Sequence, residues 1–336
     1  MGVAANAFFS CSDIINVSYD IEEIDKLKLV NAIFHVLLLH RGPISELCIC
    51  FADAEIVNEI DQIRLHLSWS KNIKKFVFEM DGYYKLPCSF FSLQGLEHLS
   101  LKYCEIELPL MFNGFGMLKS LRFYNVKITA KILQRFLTSC PLLEEITLTA
   151  YHQTDFTGGN KFTFVELFKC LPSVQVVNIS RVYIKHFTAG GMSQKFPTSL
   201  VYLRILVLDQ VCFPKQDELS STLCVINSSP NLEKIKMKMI ALAGQTLTTL
   251  LDPEDYSGLN LDHLKGLEIT GFHNYALEME FMKLIMAKSP LLKKARIELS
   301  TTVSVDEEVK MLRDLVLHSF PRASPTAKFI IQRPKK

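Results

Sequence analysis

One spacing recurs along this chain and leaves few folds open to it. Leu96, Leu99, Leu101, Cys104 and Ile106 fill the frame L-x-x-L-x-L-x-x-C-x-I. The frame returns at Leu118, Leu121, Phe123, Val126 and Ile128, again at Leu203, Leu206, Leu208, Val211 and Phe213, and in shorter form at Leu264, Leu267 and Ile269. A second kind of segment supplies the units between. Pro141, Pro172, Pro230 and Pro290 each close a helical apolar stretch, and apolar residues follow at +2, +5 and +7, as Leu143, Ile146 and Leu148 follow Pro141. Proline has no amide hydrogen with which to continue a helix and pushes the residue before it out of helical conformation, so it ends the helix and launches a strand. The residues at +5 and +7 then keep the two-residue period of a strand with one buried face.

Taking the first strand-core residue of each unit as an anchor gives Phe76, Leu99, Leu121, Ile146, Val177, Leu206, Ile235, Leu267 and Ala295. Successive anchors stand 23, 22, 25, 31, 29, 29, 32 and 28 residues apart, close to the period of about 20–29 residues of leucine-rich repeats. An earlier unit is expected at Leu47 and Ile49. The expected fold is α/β, a leucine-rich-repeat solenoid (horseshoe) of about ten irregular repeats with a parallel concave sheet and convex helices. Each unit in such a stack buries its apolar face only against its neighbours. Residues 130–139, with a stripe of Ile132, Leu133, Phe136 and Leu137, read as a helix, as do 222–227, 280–288 and 306–317. The gaps of 22 and 23 residues leave room only for turns or 3₁₀ pieces.

The ends divide the chain further. Residues 1–26 hold no repeat frame and read as an N-terminal arm or partial cap; 27–260 are the leucine-rich-repeat region, 261–331 the C-terminal repeats and cap, and 332–336 a basic tail. Within these, 27–40 reads as a helix and 327–331 as a last strand. Residues 154–161, 189–197 and 243–260 read as loops, on their glycines and prolines.

Charge excludes several function classes. The net charge is only +2, so no global field marks nucleic acid or a membrane surface as a partner, and recognition by charge has to come from a local patch. Nine cysteines at irregular spacings fit buried thiols in a reducing compartment, and the opening MGVAANAFFS lacks the basic start of a signal peptide. The expected location is intracellular, in cytoplasm and/or nucleus. Cys48 and Cys50 flank Ile49 on one strand face, but further ligands for a metal are missing. No phosphate loop, nucleophile elbow, dinucleotide fingerprint or zinc-hydrolase histidine pair occurs. The chain is expected not to be an enzyme, with no catalytic residues, cofactor or metal.

Three stretches carry a resemblance to a known family. They are HVLLLHRGPI over 35–44, LPCSFFSL over 86–93 followed by the 96–106 repeat, and LKGLEITGF over 264–272 with SPLLKKARI over 289–297. In this order they resemble the plant F-box/FBD/LRR-repeat proteins, the last two standing where the FBD region lies. The resemblance implies a substrate-recognition part of an F-box-type ubiquitin ligase. Residues 1–26 show nothing similar to an F-box, so a Skp1-type adaptor is not an expected partner. The expected function is a protein-interaction scaffold, the alternative a small-ligand or inositol-phosphate sensor using the concave repeat surface.

Residues that alternate with the core face outward from the sheet. In the Ile235 unit these are Lys234, Lys236 and Lys238, and two strands on Lys294 and Arg296 hold equivalent positions, with Glu268 between. These five cations are the candidate partner-binding patch, suited to an acidic or phosphorylated protein.

Overall fold

The computed structural model describes residues 7–10, 14–18, 44–51, 73–152, 155–157, 162–188, 196, 199–213, 216–241, 256, 258–317 and 322–334. The expected helix over 27–40, Trp69, most of the 243–260 loop and the glycine pairs at 158–159 and 190–191 lie outside these residues. The chain divides into two compact units, residues 1–159 and 160–336.

In the first unit one sheet runs in the order β1 (Ala7–Ser10), β2 (Ile14–Ser18), β3 (Glu46–Phe51), β4 (Lys75–Lys85), β5 (His98–Glu105), β6 (Ser120–Tyr124) and β8 (Glu145–Thr149). Only β1 and β2 are antiparallel; every later neighbour is parallel. The strands β7 (Ile128–Thr129) and β9 (Phe156–Thr157) pair apart from this sheet. In the second unit β10 (Val176–Ser180), β11 (Ile205–Val211), β12 (Lys234–Met239), β13 (Gly266–Phe272), β14 (Lys294–Leu299) and β15 (Lys328–Gln332) follow one another, all parallel. The helices among the described residues are α1 (Ala130–Thr138), α2 (Phe164–Lys169), α3 (Arg181–Thr188), α4 (Gln216–Asn227), α5 (Ala276–Ala287) and α6 (Val305–Leu317). A 3₁₀ turn at Cys88–Ser92 fills the 23-residue gap. This is the leucine-rich-repeat architecture in each unit, a strand followed by a return segment, with the sheet almost wholly parallel.

The anchors fall in register. Leu47, Phe76, Leu99, Leu121 and Ile146 stand side by side across β3 to β8, and Val177, Leu206, Ile235, Leu267 and Ala295 across β10 to β14. All ten are 5% exposed or less. Burying each of the nine larger anchors, Ala295 aside, is worth about 1.5–3 kcal/mol, and each row leaves no polar gap in the core. The return segments cover each row from one side. Phe136 of α1 packs its ring 5.6 Å from that of Phe123 in β6, 5.8 Å from Phe115 and 5.5 Å from Phe112. Phe281 of α5 lies 4.9 Å from Phe213.

Each helix that precedes a proline-led strand stops three residues before it. α1 ends at Thr138 before Pro141, α2 at Lys169 before Pro172, α4 at Asn227 before Pro230 and α5 at Ala287 before Pro290. A left-handed residue four positions after the anchor explains why the next core residue comes at +5 and not +4. Tyr103, Asn125, Gln210 and Gly271 hold this place with φ of 54°, 50°, 61° and 69°. The extra residue shifts the register between Leu208 and Val211 and between Ile269 and Phe272, so that Cys104, Val126, Val211 and Phe272 turn inward. At Gly271 a Cβ would stand 2.4 Å from the Met239 carbonyl oxygen, so only glycine fits there.

Candidate binding face

The strands begin on a hydrogen-bonded step that repeats along the sheet. Two residues before each anchor, one carbonyl accepts two amides from the next unit: Lys74 O takes Glu97 N and His98 N at 2.7 and 2.9 Å, and Glu233 O takes Lys265 N and Gly266 N at 2.9 and 3.2 Å. The charged side chains on this step alternate in sign as far as Lys265. In the first unit the row reads Lys74, Glu97, Lys119, Glu144, and in the second Arg204, Glu233, Lys265, Lys293. Glu97 lies 3.5 Å from Lys74 and 2.9 Å from Lys119. Glu233 lies 2.5 Å from Arg204 and 2.8 Å from Lys265. The outward face of the strands pairs in the same manner through Lys75–Glu46, Lys102–Glu79 and Arg122–Glu145, at 3.0, 3.7 and 3.9 Å. Opposite charges facing each other across a parallel ladder stabilise it modestly and cancel its field.

This cancellation fails over β12 to β15. Register places Lys234 beside Gly266 and Gly266 beside Lys294, then Lys328 beside Lys294. Lys236 is beside Glu268, which is beside Arg296, and Lys238 is beside Thr270. Glu298 follows Arg296 on the same face of β14, and Glu268 is the carboxylate that lies in register between Lys236 and Arg296. Its oxygens lie 2.8 Å from Lys234 Nζ and 3.7 Å from Lys236 Nζ. The hydrogen bond from Lys234, then the fields of Lys234, Lys236 and Arg296, hold its carboxyl below the usual range against the opposing effect of burial. The Lys265–Lys293 step breaks the charge alternation, and Lys238, Lys293, Lys294 and Lys328 have no ion-pair partner among the described residues. A cavity of about 390 Å³ opens here, lined by Arg204, Glu233, Lys234, Lys265, Gly266, Glu268 and Lys294, with Ile205 and Leu267.

The five candidate residues lie on one face of β12 and β14, with β13 between these two strands. The sequence pattern did not expose the paired step beneath them, or the contribution of Lys293 and Lys328. The signal for that step is the residue two before each anchor, read as a column. Elsewhere, the Cys50 thiol is pushed up to about 11, first by burial and then by Glu79, and Cys48 is raised by burial, so neither is an activated thiolate. Among the described residues no group of three or more His, Cys, Asp or Glu side chains is placed to hold a metal.

Comparison with known proteins adds the family context. Residues 65–157 match the model described as FBD-associated F-box protein At5g56370, LRR repeats, and residues 260–297 match the FBD model. The chain carries the leucine-rich repeats and the FBD of F-box/FBD/LRR-repeat proteins. It is 26% identical to the F-box/FBD/LRR-repeat protein At1g13570 of Arabidopsis thaliana, over 90% of this chain and 83% of that protein. A solved LRR protein of Leptospira interrogans, LIC12759, aligns over 87% of this chain and 76% of its own with 14% identity and a TM-score of 0.29. The FBD match runs from before β13 to Ile297 and so takes in Gly266, Glu268, Lys294 and Arg296.

Proposed function

We propose that this chain is a non-enzymatic scaffold that docks an acidic segment of a partner protein on the outward face of β12 to β15. In this reading it serves as the substrate-binding part of an F-box-type ubiquitin-ligase pathway, in cytoplasm or nucleus. The observation that carries it is the break in charge pairing. On the outward face Lys75, Lys102 and Arg122 each have a carboxylate within 4 Å, whereas Lys238, Lys293, Lys294 and Lys328, on β12 to β15 and the step before β14, have none among the described residues. Four unpaired cations within a few strand spacings repel each other, a cost that an acidic partner relieves. The eight described cysteines are free thiols, which fits a reducing compartment.

Binding of this kind weakens with salt. A fluorescein-labelled dodecapeptide of alternating glutamate and valine is expected to bind the full chain, and its affinity to fall roughly tenfold between about 50 and 300 mM salt. Fluorescence anisotropy measures this. Affinity indifferent to salt would contradict docking by charge.

A further inference from the structure

Gly266 leaves a gap in the row of side chains that crosses β12, β13 and β14. Its neighbours in register are Lys234 on one side and Lys294 on the other. The Lys234 stem leans across the gap, because a Cβ on Gly266 would meet its Cγ at 3.6 Å and its Cδ and Cε at 3.9 Å. One wall is Glu268, whose carboxylate holds Lys234 Nζ at 2.8 Å, and the other is the step of Arg204, Glu233 and Lys265. The cavity is lined by four cations and two carboxylates, leaving two positive charges in excess. Arg204 and Lys265 already share Glu233, while Lys294 has no such partner among the described residues.

We propose that this notch receives a phosphoryl group carried on a serine or threonine of the docked acidic segment. The inference rests on the docking face proposed above and names the chemistry of its occupant. A carboxylate carries one charge and two oxygens, whereas a phosphoryl group carries about −1.5 to −2 and three acceptor oxygens. Only the second matches the two excess charges and gives the Lys234, Lys265 and Lys294 ammonium groups an oxygen each. The row of Lys236, Lys238 and Arg296 beside the notch takes the flanking residues of an extended chain, which a free inositol phosphate does not have.

The test uses two fluorescein-labelled peptides of alternating glutamate and valine that differ only in a central serine or phosphoserine. The phosphopeptide is expected to bind the full chain at least about tenfold more tightly, through charge-assisted hydrogen bonds. Gly266→Val fills the notch with a strand-favouring side chain whose Cβ meets nothing closer than the flexible Lys234 stem at 3.6 Å, so its melting temperature is expected to stay level or rise while the tenfold preference disappears. Lys294→Ala reduces the preference as well. Equal binding of the two peptides, or a preference that survives Gly266→Val, overturns the notch and leaves the docking face standing. Failure of both peptides to bind overturns the docking face with it. If inositol hexakisphosphate binds in a Gly266-dependent way while neither peptide does, the anion is free and not protein-borne, and the proposal is wrong.

Discussion

Replacing Glu218 with alanine lowers the unfolding free energy of the second unit by about 3–5 kcal/mol, the range for breaking one side of a buried ion pair. Glu218, in α4, is 2% exposed in its side chain, and Arg181, the first residue of α3, is 11% exposed. Arg181 Nε donates to both carboxylate oxygens at 3.0 and 3.1 Å, and Nη2 lies 3.0 Å from Oε1. The same carboxylate also accepts the buried amide of Cys212 at 3.2 Å, which tethers the end of β11 to the helix that follows. Removing it strips the Arg181 guanidinium of the carboxylate it faces and takes one hydrogen bond from the Cys212 amide. The double variant Arg181→Leu/Glu218→Leu is expected to recover most of the loss, since it removes the stranded charge as well. Urea unfolding of the three proteins measures both effects. A single variant as stable as the parent would show that the pair is not closed to solvent.

Reversing Lys238 and Lys294 to glutamate weakens the acidic peptide by at least about 100-fold, since each reversal trades an attraction for a repulsion worth more than 1 kcal/mol at a binding face. These two are chosen because neither has an ion-pair partner among the described residues, so the pairs of Glu268 with Lys234 and Lys236 stay intact. Stability is expected to change little, as both side chains are exposed. The contrasting pair Lys74→Glu/Lys131→Glu, on the first unit, leaves peptide affinity within about twofold, because neither lysine belongs to the proposed docking face. Anisotropy titrations compare the three proteins.

Much of the fold was legible because two short-range rules act in every unit. Strand alternation fixes the anchor and the residue two after it, and proline fixes where the helix before it stops. Together they gave the register from Leu47 to Ile146 in the first unit and from Val177 to Ala295 in the second. They were silent where those rules do not act. Arg181 opens α3 directly after Ser180, the last residue of β10, with no proline or loop between to announce it, and β1 and β2 lie in a stretch without the frame. Of the candidate face, alternation alone named Lys234, Lys236, Lys238, Lys294 and Arg296. The balance of charge there depends on pairs between residues about thirty positions apart, such as Arg204 with Glu233 and Glu233 with Lys265, and these exist only once the strands are side by side. The notch at Gly266 has the same origin. A glycine in a strand is unremarkable in sequence, and becomes a gap only when lysines stand on both neighbours.

The measurement closest to the central claim is lysine footprinting of the full chain, free and bound to the phosphoserine peptide, with an amine-acetylating reagent and mass spectrometry. Docking on β12 to β15 predicts that Lys236, Lys238 and Lys294 react several times more slowly in the complex while exposed Lys131 of α1 reacts as before. Unchanged reactivity at those three lysines in a saturated complex, or protection confined to the first unit, would contradict it.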